Sequence, residues 1–190
     1  PLDNISQTCY AVPNFHTKLN LLNYLLKDKA TFQKVVVFVG SKKYADLIFL
    51  ELEANFWKEL GIIHSNKSQN NRLATIESFN DDQTRILIAS DIIARGLDLD
   101  DISHVINFDT PKFPENYIHR IGRTGRAKKM GNSILLFTKD EEKNKFTIEK
   151  LMGKIINSKK LPDEVVISKK LVLEEQPNIV EKNLHKKSKQ

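Results

Sequence analysis

The segment His119-Arg-Ile-Gly-Arg-Thr-Gly-Arg126 is the densest group of chemistry-bearing side chains in the chain. Arg120, Arg123 and Arg126 recur every three residues. A guanidinium is planar, permanently charged and able to donate in pairs, which suits it to phosphate oxygens. Gly122 and Gly125 interrupt a clean helix and let backbone approach a bound group closely. The plain alternative is a solvated basic face at a helix end, which has no need of two glycines and a threonine woven through it.

Two further polar groups follow apolar runs. Ser90-Asp-Ile-Ile-Ala-Arg-Gly-Leu-Asp98 comes directly after Arg85-Ile-Leu-Ile-Ala89. Asp98 can accept from a ribose hydroxyl and Ser90 can donate to a phosphate. Ser90 or Asp91 can equally open a helix that ends at Gly96. His64-Ser-Asn-Lys-Ser-Gln-Asn-Asn-Arg72 follows another run, with Gln69 and Arg72 on one face of a first helical turn. Helix N-termini and arginines both suit phosphates, and a plain surface turn is the competing reading. No histidine pair has metal-ligand spacing, so no metal ligand is assigned. Trp57 reads as helix packing. The chain contains no G-x-x-x-x-G-K-[ST] phosphate loop and no Asp-Glu-Ala-Asp run.

These groups need a scaffold. Lys34–Val39, Gly61–His64, Arg85–Ala89, Ser103–Asn107 and Asn132–Phe137 read as strands. Lys18–Leu26, Tyr44–Lys58, Gln69–Phe79, Pro114–Ile121 and Asp140–Ile155 read as helices, with Leu73, Ile76 and Phe79 sharing one side of the third. Fully apolar strands separated by helices imply a doubly wound α/β domain, its parallel sheet covered on both faces. In such sheets ligands lie at the carboxyl ends of the strands. Asp3–Asn14 reads as an extended lead-in. The domain is expected over 1–157, with 1–16 as lead-in. Residues 158–190 are expected to be a basic, weakly structured extension whose apolar islands are Val165–Ile167 and Leu171–Leu173.

Composition bounds the possibilities. At 190 residues, 40% hydrophobic and 28% charged, the chain can bury a core and is neither fibrous nor wholly disordered. Net charge is +6, but residues 154–190 hold nine lysines against five carboxylates. Any basic function of the body must therefore come from local placement. Cys9 is the single cysteine, so no internal disulfide forms, and a reducing, cytoplasmic setting fits. No apolar stretch reaches the length of about eighteen residues that marks a spanning helix. No signal-peptide pattern opens the chain, and no membrane partner is expected. The chain begins at Pro1, and its methionines are Met130 and Met152. Either an initiator methionine has been removed or the chain is a piece of something longer.

In order and spacing, these segments resemble the second RecA-like domain of DEAD-box ATP-dependent RNA helicases, over roughly residues 5–152. Val36-Val-Phe-Val-Gly-Ser41 is similar to motif IV, and Gln69 with Arg72 to the Gln-x-x-Arg element. Ser90–Asp98 resembles motif V, and Tyr117–Arg126 resembles motif VI. Asn107-Phe-Asp-Thr-Pro111 is also family-like. The chain departs from the pattern with Gly40-Ser41 where a Thr-like position is usual, Ser65 where glycine is frequent, and Ser90 in place of threonine.

The resemblance implies a RecA-like fold and a set of roles. Arg123 and Arg126 would be arginine fingers on the ATP γ-phosphate. Asp98 would contact the ribose, with Gly96 also beside the nucleotide. His119 would couple the ATP site to motifs of the other domain. Arg72, Ser90 and Gly96 would touch RNA sugar-phosphate, supported by Gln69 and Arg95. Such contacts read backbone and explain binding of RNA without sequence preference. The phosphate loop and the carboxylates that hold Mg2+ would belong to a first RecA-like domain, the expected partner. The isolated chain is then expected to be inactive. Two other readings stay open from sequence: a non-catalytic RNA- or protein-binding module, and a DNA-directed superfamily-2 helicase domain.

Overall fold

The computed structural model describes residues 2–91 and 97–177. Its strands are β1 (Ile5–Ala11), β2 (Val35–Val39), β3 (Leu60–Ile63), β4 (Ile86–Ser90), β5 (His104–Asn107), β6 (Gly131–Phe137) and β7 (Asn157–Lys159). The helices among the described residues are α1 (Phe15–Lys27), α2 (Lys42–Phe56), α3 (Gln69–Asn80), α4 (Pro114–Ile121) and α5 (Glu142–Met152). All seven strands are parallel, in the order β3-β4-β2-β5-β6-β1-β7.

Period-two alternation explains the continuous apolar runs. Val35, Val37 and Val39 point into a core shared with Leu19, Leu22 and Leu26 of α1 and with Ile48 and Leu52 of α2. Val36 and Phe38 point to the other face, with Phe79 of α3, Tyr117 and Ile121 of α4, and Ile148 of α5. Every residue of β2 is buried because both faces are covered. Side-chain caps start the helices where the strands end. Asn14 accepts from the Thr17 N–H, Ser41 from that of Tyr44, and Ser68 from that of Asn71.

The structure differs from the sequence reading in four places. Asp3–Asn14 is no simple lead-in, because Ile5–Ala11 forms β1 between β6 and β7. Ser6, Gln7 and Thr8 hide the strand from an apolar pattern; Gln7 is nonetheless buried, its Oε1 accepting from the Tyr117 hydroxyl at 2.7 Å. Residues beyond 157 carry structure as far as 177. β7 joins the sheet, and a strap then crosses α1 and α2 with Val165 buried and Leu161 and Val172 packed on the core. The Ser168 and Val166 carbonyls accept from Asn14 and Asn20, and the Phe15 N–H donates to Glu175. Trp57 is 64% exposed in a turn beyond α2, so it is not a packing residue. Leu73 is likewise exposed, because α3 lies over edge strand β3 and buries its Phe79 end.

Candidate functional site

Adjacent parallel strands bring one group of residues together at the carboxyl edge. Val39 pairs with Ser90 and Ile63 with Ala89, so the residues that follow β2, β3 and β4 emerge side by side, about 5 Å per strand step. Ser41 opens α2, Ser90 ends β4 as a buried residue, and Gln69 and Arg72 lie in the first turn of α3. Gln69 is exposed. The Arg72 guanidinium folds back and donates to the Lys67 and Ser65 carbonyls at 3.1 and 3.2 Å, which shapes the 64–68 loop. His64, almost fully buried, holds the same loop from beneath. Its Nδ1 accepts from the Asn66 N–H, and its Nε2 lies 2.8 Å from Asp46 Oδ1. Since Nδ1 accepts, Nε2 carries the proton and donates to the carboxylate.

Helix α4 leaves this edge and carries the arginines towards the opposite end of the sheet. Its Arg120 is turned inward and is 2% exposed. The guanidinium donates to Asp91 at 2.5 and 2.7 Å, to the Asp109 carboxylate at 2.8 Å and to the Asp109 carbonyl at 2.9 Å. Asp109 also accepts from the Gly40 N–H at 2.6 Å. Arg120 thus ties the ends of β2, β4 and β5 to α4. The arginine triplet does not act as one unit, since Arg120 is saturated by carboxylates of its own chain. A signal for this was legible: Tyr117, Arg120 and Ile121 share one helical face, and the other two residues are apolar.

Arg123 and Arg126 follow the helix and find no carboxylate. Arg123 donates to the Leu97 and His119 carbonyls at 3.1 and 3.4 Å, and Arg126 to the Gly122 carbonyl at 3.2 Å. Neither forms an ion pair among the described residues. Burial first, and then the like charge of Arg126, pull the pKa of Arg123 below the usual guanidinium value. With no ion pair among the described residues, both guanidinium groups keep donors available to an anion. The backbone there is tightly specified. Gly125 has φ +67°, and a Cβ on it would come within 2.8 Å of Ile5. A Cβ on Gly131 would meet the Gly125 nitrogen at 2.4 Å. Thr124 locks the turn by donating to the Ile102 carbonyl at 2.7 Å.

Asp98 is exposed beside this turn. Asn80 clamps its segment to the end of α3, donating to the Asp98 carbonyl at 3.0 Å and accepting from the Asp100 N–H at 3.1 Å. Asp100, Asp101, Arg123 and Arg126 border a concavity of about 570 Å³. His119 is exposed on the last turn of α4. Arg95 and Gly96 lie outside the described residues. The carboxyl edge therefore holds Gln69, Arg72 and Ser90, while Arg123 and Arg126 lie beside the segments that feed the amino ends of β5 and β6. Of the residues singled out from sequence, the first group thus lies at the carboxyl ends of the strands and the second does not. No group of three His, Cys, Asp or Glu side chains among the described residues is arranged to hold a metal ion.

A seven-stranded all-parallel sheet covered by helices on both faces defines a doubly wound α/β domain. Residues 17–128 match the family model for the helicase conserved C-terminal domain. The chain belongs to that family, as a second RecA-like domain of the DEAD-box RNA helicase type. It is 46% identical over 110 residues to the ATP-dependent RNA helicase DBP2 of Gibberella zeae, an alignment covering 58% of this chain and 20% of that protein. Among solved structures, it superimposes on the E. coli DEAD-box protein SrmB bound to the regulator of ribonuclease activity A. That match has a TM-score of 0.77 and 29% identity, covering 88% of this chain and 97% of the other. S. cerevisiae Dbp5 bound to RNA and ADP BeF3 gives a TM-score of 0.76 at 30% identity, over 85% and 42% of the two chains. The chain spans about a fifth to a quarter of the length of the curated relatives it matches. No helix among the described residues is long and apolar enough to cross a membrane.

Proposed function

We propose that this chain is the second motor half of an ATP-dependent RNA helicase, closing on a first RecA-like domain around nucleotide and RNA. The observation that carries this reading is the pair Arg123 and Arg126, two cations whose partners among the described residues are backbone carbonyls. In this reading they reach the γ-phosphate oxygens of ATP held by the first domain, which also holds Mg2+. Phosphoryl transfer leaves little covalent work for a protein, so neutralising charge in the transition state is what these arginines supply, worth about 10³–10⁵ in rate. In this reading the exposed Asp98, on its Asn80-clamped segment, accepts from a ribose hydroxyl. The exposed His119, one turn before Arg123, meets the facing domain in the same reading. Gly96 and Arg95 keep their proposed nucleotide and RNA contacts.

Gln69, Arg72 and Ser90 form the proposed RNA edge. Polar groups along one edge of a sheet can follow a sugar-phosphate backbone without reading bases, and local strain on a duplex follows when the two domains close. The fit is supported by Dbp5, whose structure with RNA and ADP BeF3 shares the fold. The isolated chain is expected to have no ATPase activity, since it lacks a phosphate loop. A cytoplasmic setting completes the reading, with Cys9 kept as a buried free thiol.

The test joins this chain to a first RecA-like domain and measures ATP turnover and RNA binding together. Arg126→Ala is expected to remove most RNA-stimulated turnover, with RNA affinity nearly unchanged. Arg72→Ala is expected to do the converse and to lower the salt dependence of binding. Equal loss of both activities in Arg126→Ala would defeat the assignment. Equal binding of matched DNA, with nucleotide and both domains present, would defeat the choice of RNA.

A further inference from the structure

The far edge of the sheet carries a second surface, which the proposed motor role does not use. β7 pairs with β1 on one side, and among the described residues nothing pairs with its other side. Asn157–Lys160 are all exposed. Ile155, just before the strand, is 81% exposed, and Phe146 on α5 is 54% exposed. With Lys150, Gly153 and Lys154 these two side chains line an open depression of about 440 Å³. An unpaired strand beside exposed apolar side chains is a template for another chain.

Among the described residues, the charged side chains of the depression and of β7 that form no ion pair are all lysines. Lys145 is taken by Glu149 at 2.9 Å, and the other Glu149 oxygen accepts from the Ile156 N–H at 2.7 Å. That carboxylate is therefore spent on its own chain. Lys150, Lys154 and Lys159 form no ion pair among the described residues, and Lys160 reaches Asp163 only at 4.0 Å.

We infer that the β7 edge and the Phe146–Ile155 shelf dock an extended acidic segment of a partner protein, which adds as a further strand. Main-chain bonds to β7 supply the pairing, alternate apolar side chains fill the shelf, and carboxylates meet the lysines. Charge argues against the two occupants closest to hand. Residues 178–190 of this chain carry four lysines and one glutamate, and a second copy would bring lysine to lysine. RNA is disfavoured because Gln69 and Arg72 lie by β3 at the opposite edge, six strand steps or about 29 Å away. A nucleic acid also offers no peptide groups to a strand edge.

The experiment uses the 190-residue chain and a fluorescein-labelled octapeptide in which aspartate alternates with isoleucine, valine and phenylalanine. Fluorescence anisotropy should show saturable binding. Ile155→Asp and Lys154→Glu, both at exposed positions, should each weaken it about tenfold or more. N-methylation of alternate peptide amides leaves the side chains unchanged and should abolish it. Single-stranded oligouridylate should not displace the peptide. The inference fails if no saturable binding occurs, or if the N-methylated peptide or the Ile155→Asp chain binds as well as its parent. It fails equally if oligouridylate displaces the peptide, which would make this face a nucleic-acid surface.

Discussion

Asp91→Ala should destabilise the domain more than Arg120→Met, although both break the same ion pair. The asymmetry follows from burial. The Arg120 side chain is 2% exposed, whereas the Asp91 and Asp109 side chains are 24% and 29% exposed. Removing the arginine leaves two carboxylates that water can reach, and methionine fills much of the vacated volume. That change should cost about 1–2 kcal/mol, since the carboxylates left behind can be hydrated rather than stranded. Removing Asp91 strands a buried guanidinium with two of its four contacts. Breaking one side of a buried pair costs about 3–5 kcal/mol, and the surviving Asp109 bonds put the expected loss near 3 kcal/mol. For a domain of this size that is a fall in Tm of about 6–12 °C. Urea unfolding followed by circular dichroism, extrapolated linearly to water, measures both changes on one scale. If Arg120→Met lost as much stability as Asp91→Ala, the reasoning from unequal burial would be wrong.

Two further outcomes are expected. Burial pushes the pKa of His104 down to about 4, partly offset by the charge of Asp28. The unfolded chain therefore binds the proton more readily, so this stability is fully present above pH 6.5 and is lost as pH falls from 6.5 towards 4. The loss amounts to roughly 3 kcal/mol, and a His104→Gln chain should show a correspondingly flatter stability profile across that window. Val165 is 6% exposed beneath the strap, and Val165→Ala should cost about 1–2 kcal/mol in the same urea measurement. No measurable change would show that the strap is not docked in solution.

Much of the scaffold was legible because its strands are buried on both faces. β2 and β4 are almost wholly apolar, β5 and β6 have the apolar segments Val105-Ile106 and Ile134–Phe137, and the parallel sheet follows from them. β1 was hidden because a strand can bury Gln7 once Tyr117 bonds it, and local pattern does not foresee a partner 110 residues away. The strap was hidden for a related reason: Val165 and Val172 are isolated between polar residues, and only the face they cover makes them core. Among the site residues, residue type identified the arginines but not their division of labour. The apolar face that Arg120 shares with Tyr117 and Ile121 hints that it turns inward, but its partners Asp91 and Asp109 lie 29 and 11 residues away, and Arg123 forms no ion pair among the described residues.

The placement of β1 bears on how the chain acquires its structure. Within this domain Ile5–Ala11 is the first strand to be made, yet both of its neighbours come late, Gly131–Phe137 on one side and Asn157–Lys159 on the other. During synthesis the segment therefore has no sheet to join until most of the domain has emerged. β2, β4 and β5 can assemble earlier, since their pairings close between residues 35 and 107. Insertion of the first strand is expected to be a late event that closes a long loop, the kind of step that slows folding. Until it happens the edge of β6 stays open, so a chain halted shortly after β6 should be the species most prone to aggregate.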